Sequence, residues 1–250
     1  MIRIINRMLL IVFLIALVAI AGCTTVRDVV MDATQEDDSM VDADPVKIVM
    51  FIDYPVGGKD AYIAWVSSVA STLQAPEEVK RIRSYDNIDQ TMSPNRLVEF
   101  EFDSFLDSAT YLNRPEISDV LLDIPNYSSD ADVHIYVERS DYERTEHADY
   151  PIKILSLIDY PLGGKDAYLE WVDSVSGTLV DPPQVKAIAS YDNYYGESPH
   201  RLISFEFSSQ EDADTYEALE EVQAIEDELD DRAGGWSLHT FELRSDYISE

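Results

Sequence analysis

Cysteine is nearly absent from this 250-residue sequence, in which Cys23 is the only one. No disulfide can therefore form within the chain, and zinc sites or redox motifs that need several cysteines are excluded. The thiol of Cys23 is left for another use.

Positive charge is also scarce. The chain has 18 Lys and Arg residues against 49 Asp and Glu residues, a formal charge of −31. A polyanion gains nothing from counterion release on a phosphate backbone, so we expect no nucleic-acid partner. The charge could serve to capture divalent cations or to solvate the surface in a salty medium. No D-x-[DN]-x-[DN]-G loop is present, so the sequence predicts no metal site.

Common catalytic motifs are missing as well. The sequence contains no H-E-x-x-H, no G-x-S-x-G and no G-x-x-x-x-G-K-[ST]. These absences remove the commonest zinc-hydrolase, serine-hydrolase and P-loop interpretations, and no cofactor is evident.

The N-terminus has the pattern of an export signal. Arg3 and Arg7 precede an apolar run over residues 8–21, which is shorter than the ~20 residues a membrane-spanning helix needs. The run ends in "IAGC", which resembles the lipobox of bacterial lipoproteins. The resemblance implies a signal peptide over residues 1–22 and a lipid anchor on Cys23. With Thr24 next, it also implies the outer membrane of the cell envelope, facing the periplasm. The alternative is an uncleaved membrane anchor.

Residues 23–45 are acidic, contain few large apolar side chains and show no period, which is typical of a flexible tether. A repeat follows the tether. Residues 46–62 and 152–168 are identical at 12 of 17 positions, and matching segments continue through both halves. The length of each copy indicates a duplicated domain rather than a solenoid. We predict one repeat over residues 46–144, a linker over 145–151 and a second repeat over 152–250.

The order of elements in each copy is strand, helix, two strands, helix and strand. An apolar strand leads into a Pro-x-Gly-Gly turn and a helix that Pro76 ends. The second helix is expected to break at Pro115 in copy one, but to run without a break from Asp212 to Leu229 in copy two. This βαββαβ order predicts an α+β fold of two tandem ferredoxin-like domains.

One sheet with helices on a single face leaves the other face bare. In element order and duplication, the chain resembles the dimeric α/β-barrel superfamily, which includes antibiotic-biosynthesis monooxygenase-like domains. The resemblance implies that the two sheets bury their bare faces against each other as an intramolecular barrel. It also implies a monomer with an internal pseudo-dimer.

Alternation along the strands places one histidine and one glutamate of each copy on the inner face. The pairs are His134 with Glu101 and His239 with Glu206. In a ferredoxin-like sheet one strand lies between the members of each pair, so two strand spacings of ~4.8 Å put them roughly 10 Å apart. Each pair would therefore bracket a bound molecule rather than bond directly. The alternative is a pair of polar groups satisfied at a wet interface between the repeats.

The copies differ in a patterned way. Arg81, Arg83 and Glu99 of copy one become Ala187, Ala189 and Ser204 in copy two. Cation and anion disappear together, as expected if they faced each other. We predict one small-molecule pocket, lined by Ala187, Ala189, Ser204, Glu206 and His239. Drift after duplication is the competing explanation.

The Gly-Gly-Lys turns could bind an anion because each precedes a helix N-terminus. The candidate residues are Gly57, Gly58, Lys59, Gly163, Gly164 and Lys165. A tight turn with no ligand would need the same glycines.

Two functions remain. The leading hypothesis is a membrane-tethered envelope lipoprotein that binds a small ligand or a protein and is not an enzyme. The alternative is a barrel enzyme of monooxygenase, isomerase or haem-handling type with a site between the sheets, using His239 with Glu206 or His134 with Glu101.

Overall fold

The computed structural model describes residues 44–139 and 150–249. The elements of the first half are β1 (Val46–Asp53), α1 (Asp60–Gln74), β2 (Val79–Asn87), β3 (Arg96–Phe102), α2 (Phe105–Leu112), α3 (Pro115–Asp123), a 3₁₀ turn (Ile124–Asn126) and β4 (Asp130–Arg139). Those of the second half are β5 (Ile152–Asp159), α4 (Lys165–Val180), β6 (Val185–Asn193), β7 (Arg201–Phe207), α5 (Gln210–Glu217), α6 (Glu220–Arg232) and β8 (Gly235–Ile248). The α+β class is confirmed.

The strands close into one barrel in the order β1-β3-β2-β8-β5-β7-β6-β4. Every neighbouring pair is antiparallel, so β1, β2, β5 and β6 run in one direction and the other four run in the opposite direction. The halves are joined where β2 pairs with β8 and where β4 pairs with β6. The equivalent strands of the two halves are therefore related by an approximate twofold axis along the barrel.

Strand β1 is apolar on both faces because each face is covered. Ile48 and Met50 face outward and pack with Tyr62 of α1 in one core cluster. Val49 and Phe51 face inward and belong to a second cluster inside the barrel. Burial on both sides explains why the strand has almost no polar residues.

The expected unbroken helix of copy two is wrong. Helix α5 ends at Glu217 and α6 begins at Glu220. Leu219 between them is extended (φ −66°, ψ 127°), nearly as Arg114 is before Pro115 (φ −67°, ψ 128°). Leu219 packs against the core of the second half, so packing maintains a break that needs no proline.

Residues 1–43 and 140–149 lie outside the described residues, and with them Cys23, nearly all of the predicted tether and part of the predicted linker. Among the helices that are described, not one is both long enough and apolar enough to cross a membrane.

Candidate active site

A cavity of about 310 Å³, partly open to solvent, lies at one end of the barrel, beside the start of β1 and the end of β3. The first half contributes Lys47, Arg83 and Glu101 to its wall, and the second half contributes Ala189, Ser204 and Glu206. Ligand pockets commonly have volumes of roughly 300–1,000 Å³, so the cavity suits a small molecule.

Six charged side chains form what we call the ionic cluster: Lys47, Arg83, Glu99, Glu101, Lys153 and Glu206. At its centre, Lys153 Nζ donates to both Oε atoms of Glu99 at 2.8 Å, and both side chains are 1% exposed. Arg83 joins the three carboxylates, with nitrogen–oxygen distances of 2.5 Å to Glu101, 3.4 Å to Glu99 and 3.6 Å to Glu206. Arg83 Nε is buried and has no hydrogen-bond partner among the described residues.

The cluster shifts the pKa values of its members. Burial opposes ionisation of Glu99, but Lys153, Lys47 and Arg83 outweigh it and hold the pKa of that carboxyl well below its usual range. The pKa of Glu101 falls to about 2, because Lys47 and Arg83 likewise outweigh burial. Burial is the main cause that lowers the pKa of Lys153 to about 8, and it exceeds the opposing effect of Glu99. Two ionised carboxylates thus lie beside three cations, of which Lys153 holds its proton less tightly than an exposed lysine does.

Each lysine of the cluster lies over a tyrosine of the other half. Lys47 Nζ is 4.6 Å from the ring centre of Tyr191, and Lys153 Nζ is 4.4 Å from that of Tyr85. The sequence analysis missed both lysines, since it interpreted β1 and β5 as buried apolar strands. The signal was available: the lysine occupies the second position of both strands, on the inward-facing side of the alternation.

The cavity occupies the side of the barrel where the second half has small side chains. In the first half Arg83 lies opposite Glu99 in the strand register, and in the second half Ala189 lies opposite Ser204. Of the five residues predicted to line one pocket, Ala187, Ala189, Ser204 and Glu206 lie in the cavity wall.

His239 is the fifth, and the structure does not place it in that wall. Its Nε2 lies 3.0 Å from Ser237 Oγ, and burial lowers the pKa of the ring. Both His239 and Ser204 pair with Leu155, so the histidine lies level with Ser204 rather than with Glu206. The structure therefore does not bring His239 and Glu206 together in the wall of this cavity.

His134 is likewise outside the cavity wall. Its Nδ1 lies 3.4 Å from the side-chain nitrogen of Asn193, and its ring is near Phe51. Val49 pairs with both His134 and Glu99, whereas Glu101 pairs with Lys47. The register thus separates His134 from its expected partner, Glu101.

The two Gly-Gly-Lys turns bind carboxylates of the protein itself. Lys59 Nζ lies 3.3 Å from Asp86, and Lys165 Nζ lies 3.3 Å from Asp192. Gly57 and its neighbour Gly58 both have φ 107°, in the left-handed region that favours glycine. In the second turn Gly164 has φ 94°, so backbone geometry accounts for Gly57, Gly58 and Gly164, and an internal ion pair accounts for each lysine.

No family model matches the chain, and no curated protein is similar to it in sequence. Solved structures are similar. An anthrone oxidase-like protein matches with a TM-score of 0.63 at 12% identity, covering 83% of this chain and 94% of its own. A monooxygenase-like protein from Fusobacterium nucleatum matches with a TM-score of 0.62 at 9% identity, covering 83% and 95%. A variant of the chlorite dismutase from Candidatus Nitrospira defluvii matches with a TM-score of 0.55 at 11% identity, covering 79% and 91%.

The fold is that of the dimeric α/β barrels. The resemblance stated from the sequence is supported at the level of the fold. The leading functional hypothesis, that the chain binds a ligand or a protein without being an enzyme, is overturned, because the matching solved structures are named for oxidase, monooxygenase and dismutase activities.

Haem does not fit this barrel cavity. Proteins hold haem iron through His, Cys, Met or Tyr, and the cavity wall offers only Tyr191 among these types. Burial raises the pKa of Tyr191 to about 12, which disfavours the phenolate that would bind iron. Within the described residues, no group of His, Cys, Asp and Glu side chains is arranged to hold a metal ion. The residues of this cavity wall therefore do not fit a bound haem.

Proposed function

We propose that this chain is a barrel enzyme of monooxygenase or isomerase type, whose first step removes a proton from a small substrate bound in the cavity. One observation carries the proposal: a cavity at one end of the barrel has a carboxylate, Glu206, in the same wall as the cations Lys47 and Arg83. A base beside fixed positive charge is the arrangement that carbanion formation needs.

Glu206 is suited to the role of the base. Its nearest cationic nitrogens are those of Arg83 at 3.6 Å and Lys153 at 3.7 Å, beyond ordinary hydrogen-bonding distance. The carboxylate is thus oriented by charge while its oxygens remain able to accept a proton. Glu101, its counterpart in the first half, is held by two cations of the protein, Arg83 at 2.5 Å and Lys47 at 3.3 Å, and is less able to do so.

The proposed step is balanced as a proton transfer. A C–H group of the substrate gives its proton to the Glu206 carboxylate, and the electron pair remains on the substrate as an enolate. Arg83 and Lys47 stabilise that negative charge. Return of the proton to another carbon would complete an isomerisation. Reaction with dioxygen would convert a CH₂ group to a carbonyl with release of water, which requires no outside reductant.

The test uses the full chain and a panel of small carbon acids, namely 1,3-dicarbonyl compounds and aryl ketones. Deuterium uptake from solvent, followed by NMR, reports proton abstraction, and an oxygen electrode reports oxidation. Glu206→Gln should lower either rate by about 10²–10⁴-fold, the usual contribution of a general base. Glu242→Gln, at an exposed position of β8, is the matched control. A Glu206→Gln rate equal to that of the wild type would refute the proposal.

A spectrum of the protein purified from its native host separates the proposal from the haem-handling alternative. We expect no haem absorbance band. Such a band, present in proportion to the protein, would overturn the argument from the donor set.

The finer architectural interpretation belongs to the same proposal. In each half the strand order is that of a ferredoxin-like unit, β4-β1-β3-β2 and β8-β5-β7-β6, which supports two tandem units that form their barrel within one monomer. The lipid anchor on Cys23 and the location in the envelope stay predictions from the sequence, independent of the enzyme proposal.

A further inference from the structure

We infer that the cavity binds a small zwitterion, with its carboxylate at Lys47 and Ser204 and its protonated nitrogen at Glu206. The inference rests on the proposed function in that it uses the same cavity, and it adds the class of the substrate. It follows from comparing each residue of the cavity with its counterpart across the approximate twofold axis.

The carboxylate of the ligand is inferred from a comparison of the two lysines. Lys153 lies 4.4 Å over Tyr85 and donates to both oxygens of Glu99 at 2.8 Å. Its counterpart Lys47 lies 4.6 Å over Tyr191, so the two ammonium groups occupy matching positions. Lys153 has the buried carboxylate of Glu99 directly in front of it. The twofold axis relates that carboxylate to a point in front of Lys47, on the second half of the chain.

Ser204 occupies that position as the counterpart of Glu99, and its short side chain carries a hydroxyl group in place of the carboxylate. Ser204 is 3% exposed and lies in the cavity wall with Lys47. The nearest carboxylate oxygens to Lys47 are at 3.3 Å on Glu101 and 3.9 Å on Glu99, longer than the 2.8 Å contacts of Lys153. A ligand carboxylate there would accept from Lys47 and from the Ser204 hydroxyl, as Glu99 accepts from Lys153.

The cation of the ligand is inferred from a comparison of Arg83 with its counterpart Ala189. Arg83 donates to Glu101 at 2.5 Å, whereas Ala189 offers nothing to Glu206, the counterpart of Glu101. Glu206 has its nearest cations at 3.6 and 3.7 Å. A ligand ammonium or guanidinium in the space beside Ala189 would give one oxygen of Glu206 the kind of close partner that Glu101 already has. The other oxygen of Glu206 would then take the substrate proton.

Charge balance requires that the ligand carry both a carboxylate and a cation. The ionic cluster contains three cations and three carboxylates, so its formal charge is zero. Within the ionic cluster, the second half lacks the counterparts of the cation Arg83 and the anion Glu99, and a zwitterion replaces both. Arg81, which the second half also lacks, is paired outside the cluster with Asp246. A ligand with only one of the two charges would leave an uncompensated charge in a buried site, which is costly.

The first test is calorimetric titration of the full chain with ω-amino acids of increasing chain length. We expect one length to bind tightest, because the two charges must span the distance from Lys47 to Glu206. The N-acetyl form, which lacks the cation, and the carboxamide form, which lacks the anion, should each bind at least tenfold more weakly. Equal affinity of all three forms would overturn the inference.

The second test restores the missing side chains. The double variant Ala189→Arg with Ser204→Glu supplies the protein's own ion pair, so it should lose all binding of the ω-amino acids. Glu242→Gln should bind them as the wild type does. Undiminished binding by the double variant, with a melting temperature equal to that of the wild type, would also overturn the inference.

The two proposals fail in different ways. If neutral carbon acids are turned over through Glu206 while no zwitterion binds, the substrate class is wrong and the proposed function stands. If zwitterions bind in the cavity and Glu206→Gln affects no turnover, the proposed function is wrong and the binding site stands.

Discussion

Glu99→Gln tests the ionic cluster most severely. The Glu99 carboxylate is 1% exposed and lies within 4 Å of three cations, Lys153 at 2.8 Å, Arg83 at 3.4 Å and Lys47 at 3.9 Å. Removal of one partner from a buried ion pair costs about 3–5 kcal/mol, since the other charge stays buried without compensation. No discount for solvent screening applies, because both Glu99 and Lys153 are almost completely buried.

The expected loss is therefore about 3–5 kcal/mol of unfolding free energy, measured by urea denaturation at pH 7. At about 2–4 °C per kcal/mol for a domain of this size, the melting temperature should fall by roughly 6–20 °C. Adding Lys153→Met should recover part of the loss, because it removes the ammonium left without a partner. Glu242→Gln, the exposed control, should stay within about 0.5 kcal/mol of the wild type. A loss below about 1 kcal/mol for Glu99→Gln would refute the reasoning, since it would mean that water screens the cluster.

Three further predictions concern other parts of the chain. The pKa of Glu101 is about 2 in the folded protein, below its value in the unfolded chain, so its contribution to stability is complete above pH ~4.5 and is lost as the pH falls towards 2; Glu101→Gln should flatten that part of the stability–pH curve, and an unchanged slope would contradict the assignment. His239→Ala should lower the melting temperature, because the ring is buried, and should leave turnover within about twofold, because the ring is outside the cavity wall; a large loss of turnover at unchanged stability would restore the histidine to the site. Cys23→Ala should block lipidation and leave unprocessed precursor, as judged by mass spectrometry of the membrane fraction; normal cleavage and acylation would show that the lipobox interpretation is wrong.

More of the fold than of the candidate site could be predicted from the sequence. Apolar runs, Pro-Gly-Gly turns and helical spacing were enough for the element order, because the two copies repeat each signal. The unbroken helix expected in copy two was wrong, since Leu219 adopts an extended conformation through tertiary packing, which no local signal reveals.

The candidate site was harder to predict from the sequence than the fold, because its charged side chains are paired across the barrel. Lys153 bonds Glu99, 54 positions away in the chain and on a strand that does not neighbour its own. Lysine is almost never fully buried unless paired, so one lysine in an apolar strand is easily taken for an end residue. The exchange of Arg83 and Glu99 for Ala189 and Ser204 was visible without a structure, since opposed charges that vanish together leave a trace in the alignment of the copies.

The central claim is that the cavity on the side of the second half is the active site, and turnover by Ala189→Arg tests it most directly. The new side chain would lie in the cavity wall beside Glu206, where it has a carboxylate to pair with. We predict that turnover of the carbon-acid panel is lost while the melting temperature stays within about 5 °C of the wild type, the equivalent of 1–2 kcal/mol. Turnover at the wild-type rate in a folded Ala189→Arg variant would contradict the account.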